Sequence, residues 1–187
     1  SRVVGFDFDE RIWDRGDPVG TEAQPEYDHT PDPGTQCYAT DTRGGGLGDW
    51  DVDNGATTLT TPELDLDAAG DVTVSYWRWY SNDTGATPNT DVFEIDISDD
   101  GGATWTNVET VGPGGAEASG GWYNHAFNPA DFVDLTDSVK LRFVAADDGE
   151  GSLVEAAVDD LDITAFACVD LCPWDLNGDG MVDPLDV

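Results

Sequence analysis

The chain has 187 residues with seven Trp and an ordinary apolar share, enough for one globular domain plus a short appendage that buries about 70% of its unfolded surface. Seven basic residues stand against forty acidic ones, a formal charge of −33, and that field repels phosphate, which excludes nucleic acid and anionic membrane as partners. No apolar run approaches the roughly eighteen residues of a membrane span, so membrane insertion is excluded as well.

The sequence begins at Ser1 with no signal-peptide pattern, which reads as a mature form or a fragment. Clustered carboxylates suit divalent cations, because a cation offsets their mutual repulsion. The cysteines are Cys37, Cys168 and Cys172. The last two can close a small loop as a disulfide, leaving Cys37 free or joined to another chain.

Helical periodicity is nearly absent. Short alternating runs separated by Gly, Pro, Asp and Asn predict an all-β, antiparallel sandwich. At the N-terminus 3-VVGFDFD-9 sets Val4, Phe6 and Phe8 against Gly5, Asp7 and Asp9. It reads as an edge strand of the domain, or as a strand lent to a neighbour.

Residues 14–56 carry four prolines (18, 25, 31, 33), a Gly run at 44–46 and little alternation, the mark of a long irregular insertion. Within it 49-DWDVDNG-55 alternates Asp49, Asp51 and Asp53, whose oxygens could converge on one calcium ion or form a solvated turn.

Strands are predicted at 72-VTVSYWRWY-80, 91-DVFEIDIS-98, 105-WTNVETV-111, 122-WYNHAF-127, 139-VKLRFVA-145 and 153-LVEAAVDDLDITAF-166, the last broken near Asp159. In 91–98, Phe93, Ile95 and Ile97 face in, while Glu94 and Asp96 face out. In 139–145, Val139, Leu141, Phe143 and Ala145 face in, while Lys140 and Arg142 face out. In the aromatic run Tyr76 and Tyr80 share one face, and Trp77 and Trp79 the other. One pair is core. The other either packs beneath the insertion or forms a sugar platform with Trp50 or Trp122.

Two motifs are more specific. In 98-SDDGGATW-105, the residues Ser98, Asp100, Gly102, Thr104 and Trp105 resemble an Asp-box hairpin, a structural device seen in sialidases and elsewhere that carries no catalytic role. In 175-DLNGDGMVDPLD-186, Asp175, Asn177, Asp179, the Met181 carbonyl, Asp183 and Asp186 fall at the ligand positions of an EF-hand calcium loop, with Gly180 at the sharp turn. This resembles a single loop of a dockerin repeat, without the exit helix or the second repeat. Calcium is the implied cofactor.

The arrangement of 59-LTTPELDL-66, 76-YWRWY-80, 92-VFEIDISDDGGATW-105 and 156-AAVDDLDI-163 resembles the MAM-like jelly-roll modules appended to secreted bacterial metallopeptidases of the immune-inhibitor kind and to surface proteins. The resemblance implies a jelly-roll module over residues 1–167 and a Cys-linked calcium loop over 168–187. It also implies a structural calcium between the first and last strands, which nominates Asp7 or Asp9 with Asp159 or Asp160.

With two histidines, His29 and His125, and no H-E-x-x-H or G-x-S-x-G, no hydrolytic machinery is visible. Two roles follow. One is a calcium-stabilised, non-catalytic extracellular or cell-surface module binding a glycan or protein, as in adhesion. The other is a structural protomer that binds copies of itself in an extracellular fibre, through the N-terminal strand, Cys37 or shared calcium.

Overall fold

Period-two patterning decides the fold. Strand β9 (Lys140–Asp147) alternates between half-buried and buried residues along its whole length, and Leu141, Phe143 and Ala145 are fully buried. Its neighbour β6 (Phe93–Ser98) contributes Phe93, Ile95 and Ile97, also fully buried. Facing them from the opposite sheet, β5 (Asp71–Ser81) sends Tyr76 and Tyr80 inward. Tyr76 meets Phe143 edge to face at 5.2 Å between ring centroids, and Tyr80 stacks on Phe93 at 5.6 Å. Each such side chain contributes about 1.5–3 kcal/mol of burial, and the aromatic pairs lock the two sheets together.

The computed structural model describes residues 7–8 (backbone only), 13–53, 55–67, 69–148 and 151–166. It shows an antiparallel jelly-roll β-sandwich of two five-stranded sheets. The first runs β1 (Asp7–Phe8), β4 (Gly55–Thr60), β9, β6, β7 (Thr106–Val111). The second runs β2 (Asp14–Gly16), β3 (Cys37–Ala39), β10 (Glu155–Phe166), β5, β8 (Ser119–Phe127). The six strands read from the sequence are all present. The break expected near Asp159 is a register shift between Asp159 and Asp162, with Asp160 at φ 48°.

Four features differ from expectation. First and last strands are not neighbours: β1 pairs with β4 at one edge of the first sheet, whereas β10 lies between β3 and β5 in the second. Asp7 and Asp159 therefore belong to different sheets, and Asp9 lies outside the described residues. The 14–56 segment is not wholly irregular, since β2 and β3 extend the second sheet beside β10. Asp96 points outward but is 5% exposed, because Arg142 Nε (2.8 Å) and Asn107 Nδ2 (3.0 Å) close over it. Cys37 is 1% exposed, under the same insertion as Ala39 and Ala157, so its thiol is not at a surface where another chain could reach it. Burial pushes that thiol up to about 12, with Asp159 and Asp28 adding to the shift.

The N-terminal strand, as far as it is described, is paired within its own chain, with Asp7 opposite Thr60 and Phe8 opposite Leu59. The Asp-box geometry is explicit. Asp100 accepts from the Thr104 backbone N–H (2.8 Å), the Thr104 hydroxyl (2.7 Å) and the Ser98 hydroxyl (2.7 Å), which together hold its carboxyl well below the usual range. Gly102 has φ 99°, and a Cβ there would meet the Trp105 ring at 3.1 Å. Residues 168–187, with Cys168, Cys172 and the loop from Asp175 to Asp186, lie outside the described residues.

Candidate functional site

The outer face of the second sheet carries Trp77, Trp79 and Trp122, the residues nominated for a sugar platform. Residues 23–30 roof them. Trp79 Nε1 donates to the Ala23 carbonyl (2.7 Å) and Trp122 Nε1 to the Tyr27 carbonyl (3.1 Å). His29 stacks on Trp77 at 3.6 Å, and its Nδ1 lies 2.8 Å from Asp160 Oδ2. Asp159 Oδ2 accepts from the backbone N–H groups of His29 (2.9 Å) and Thr30 (3.1 Å). In the described structure, then, Asp159 and Asp160 fasten the insertion to the β10 bulge, and the three tryptophans pack beneath it.

Trp50 stands apart. It is 41% exposed, and Val19, Tyr27 and Leu47 complete the set of exposed large apolar side chains among the described residues. All four come from the 14–56 segment. Trp50 and Leu47 rim a surface cleft whose lining also includes Gln24, Arg43, Asp51 and Glu155.

The cleft is built by local rules. Asp49 does not point toward a shared ligand; its Oδ2 accepts the Gly46 N–H (2.6 Å) while its own N–H donates to the Gly46 carbonyl (3.1 Å), closing a turn. Gly48, at φ 81°, supplies the left-handed residue of that turn, and a Cβ there would press on Leu153 at 2.9 Å. Arg43 is clamped to Asp41 through Nε (3.0 Å) and Nη2 (2.6 Å), and its guanidinium sits 3.7 Å from the Trp50 ring centroid. Gln24 Nε2 donates to the Asp41 carbonyl at 2.6 Å.

The floor is acidic. The antiparallel bridge between Val52 and Val154 sets Asp51 opposite Glu155, and each is 5% exposed. Glu155 Oε2 accepts from the Thr40 hydroxyl at 2.6 Å. Burial raises Glu155 to about 8 against that hydrogen bond, and the charges of Asp51 and Asp41 push the same way. Burial, then Asp53 and Asp147, raise Asp51 to about 6. Asp51 Oδ2 is buried without a hydrogen-bond partner.

Asp49, Asp51 and Asp53 thus do not converge: the first closes a turn, the second is buried in the cleft floor and the third is exposed. Their alternation would have aligned them on one face, but the turn at 46–49 takes Asp49 out of the extended run. Among the described residues no set of three or more His, Cys, Asp or Glu side chains is placed to hold a metal ion.

A second polar cluster lies inside the sandwich. Arg78 shares the inner face of β5 with Tyr76 and Tyr80 and is 3% exposed. It donates to Glu109 Oε1 from Nη2 (2.5 Å) and Nε (3.0 Å), and also reaches Glu117. Tyr76 Oη donates to Glu109 Oε2 (2.9 Å), and His125 Nδ1 lies 3.3 Å from Glu109 Oε1. Burial opposes ionisation of Glu109, but the bonds from His125 and Arg78 outweigh it and draw the carboxyl down to about 2.

No protein-family model matches this chain, and no curated protein matches it in sequence. Solved structures similar to it include a carbohydrate-binding module specific for non-crystalline cellulose (12% identity, 83% of this chain and 88% of that one, TM-score 0.45). Another is the xylan-binding domain CBM22-1 of Paenibacillus barcinonensis Xyn10C (11% identity, 88% and 97%, TM-score 0.40). A third is the K3 cleaved adhesin domain of the Lys-gingipain of Porphyromonas gingivalis (18% identity, 70% and 74%, TM-score 0.40). At such identities and TM-scores they lend this chain neither a ligand nor an activity.

Proposed function

We propose that this chain is a non-catalytic binding module, acting outside the cell or at its surface, that holds a glycan in the cleft beside Trp50. One observation carries the reading. The exposed large apolar side chains of the described structure all belong to one segment, and two of them rim a cleft floored by hydrogen-bonding groups. An apolar ring beside a few fixed polar atoms suits a sugar, whose faces are apolar and whose edges are hydroxyls.

Catalysis by the acid pair is disfavoured by its placement. Residues directly opposite across a strand pair have Cβ atoms about 4.5–5.5 Å apart and project the same way. A glycosidase instead needs carboxyls on either side of the scissile bond. Both histidines are engaged in packing, His29 on Trp77 and His125 against Tyr76. No helix among the described residues is long and apolar enough to cross a membrane. An extracellular setting is supported by the −33 charge and by the calcium-loop pattern at 175–186, through which calcium enters the reading. The assembly role has less support, since Asp7–Phe8 is paired within its own sheet and Cys37 is buried.

The test is calorimetric titration with soluble xylan and cello-oligosaccharides, the ligand classes of two of the similar structures. A glycan that binds should lose about tenfold or more in affinity on Trp50→Ala. Undiminished binding by that variant would remove the cleft from the reading.

A further inference from the structure

The charge of the cleft narrows what it can hold. Arg43 is the single basic side chain of the lining, and it is committed to Asp41 and to the Trp50 ring. Nothing basic therefore answers Asp51 and Glu155 at the floor. Thr40 takes one oxygen of Glu155, while Asp51 Oδ2, in a side chain 5% exposed, has no donor at all. Two buried carboxyls side by side, with one oxygen lacking any donor, are an incomplete electrostatic arrangement, and a cationic group entering the cleft would complete it.

We propose that the cleft takes a sugar residue bearing a free amine, with its ammonium docked between Asp51 and Glu155 and its ring against Trp50. The inference rests on the glycan reading above and specifies its ligand. An ammonium brings three donors and one positive charge, which serves the orphan Asp51 oxygen and the free side of Glu155 together. A divalent metal is the poorer occupant. Calcium takes six to eight oxygen ligands, and no set of three acidic, His or Cys side chains is placed for a metal among the described residues. Exposed Trp50 and Leu47 at the rim also give apolar walls that a bare ion would not use. Uronic, sulfated and sialylated sugars meet both the acid pair and the −33 field, which repel them.

The full chain should be titrated at neutral pH with three β-1,4-linked trimers that differ at C2: glucosamine, N-acetylglucosamine and glucose. The amine trimer should bind about tenfold tighter than the other two, and raising salt from roughly 0.05 to 0.5 M should shrink that preference. Asp51→Asn and Glu155→Gln should each abolish the preference for the amine trimer over the glucose trimer. Equal binding of the three trimers, or tighter binding of the acetylated or the glucose trimer, overturns the ammonium inference and leaves the glycan reading in place. Binding of none overturns the ammonium inference, and the glycan reading falls with it if soluble xylan is not bound either. Because the decisive comparison is between ligands on the unaltered chain, it stands even if a variant fails to fold.

Discussion

Asp51 and Glu155 face each other across the Val52–Val154 bridge, each 5% exposed, with the charge of one raising the pKa of the other. Backbone pairing fixes their positions, so neither can move away from the other without breaking the contact between the insertion and β10. Repulsion between their ionised forms is therefore built into the folded state, where a proton on Glu155 relieves it below about pH 8.

That repulsion sets a pH dependence. Glu155 is raised from 4.5 to about 8 in the folded chain, so folding holds a proton that the unfolded chain releases. Its contribution to stability is complete below about 4.5 and is lost as pH rises through about 8, a difference on the order of a few kcal/mol. Asp51, raised to about 6, adds to the loss in the same direction. Thermal melts of wild type and Glu155→Gln across this window should diverge, with the variant flatter and more stable at the alkaline end. Parallel curves would mean that water reaches the carboxyl and relieves it.

The two classes of exposed-face tryptophan should separate cleanly on mutation. Trp79→Ala removes a ring packed on Trp122 and a hydrogen bond to Ala23, so it should cost about 2–4 kcal/mol in urea denaturation. Trp50→Ala removes an exposed ring and one stacked guanidinium, and should cost no more than about 1 kcal/mol. A Trp50 variant as unstable as the Trp79 variant would make Trp50 a packing residue and the cleft a by-product.

The strands were legible because each presents one apolar face to the core, so that alternation in 139–145 or 91–98 translates directly into burial. What hid the cleft was the second layer of burial. Glu155 lies on the outer side of β10 with Ala157, and an outward acid reads as solvated until the insertion is known to cover it. The signal available was the run Val154 to Val158, buried on both faces, where an isolated Glu is out of place. Arg78 was more accessible to reasoning. If Tyr76 and Tyr80 face the core then so does the residue between them, and a buried Arg demands a carboxylate. Which carboxylate it finds depends on β7 approaching across the sandwich, and a strand pattern does not contain that. That Trp77 and Trp79 pack beneath the insertion was one of the two readings open, but not the contacts that roof them, the His29 ring and the Ala23 and Tyr27 carbonyls, whose positions no strand pattern encodes.

The interior ion pair gives the opposite pH signature to Glu155. Replacing Arg78 by Met keeps the packing volume but strands Glu109, which is 12% exposed at its side chain, and should cost about 3–5 kcal/mol near neutral pH. Glu109 is lowered from 4.5 to about 2, so the stability it supplies is present above about 4.5 and disappears as pH falls toward 2. The gap between wild type and Arg78→Met should narrow over that acid range. A gap of constant size would assign the cost to lost packing, with the charge pair contributing nothing.

Calcium should act through the C-terminal loop alone. The sequence from Asp175 to Asp186 supplies an EF-hand ligand pattern, whereas the described residues hold no set of three candidate ligands. Adding calcium to chelator-treated full chain should therefore raise its melting temperature, by the equivalent of about 2.7 kcal/mol when calcium is a hundredfold above its dissociation constant and the loop folds with the sandwich. Asp175→Ala combined with Asp179→Ala should abolish the whole increment. An increment that survives in the double variant would place the ion elsewhere and sink the single-loop assignment. Electron microscopy of the same calcium-loaded and chelated samples addresses the assembly role directly. Discrete particles in both states fit the binding module, and fibres that dissolve on chelation would make the loop an assembly device.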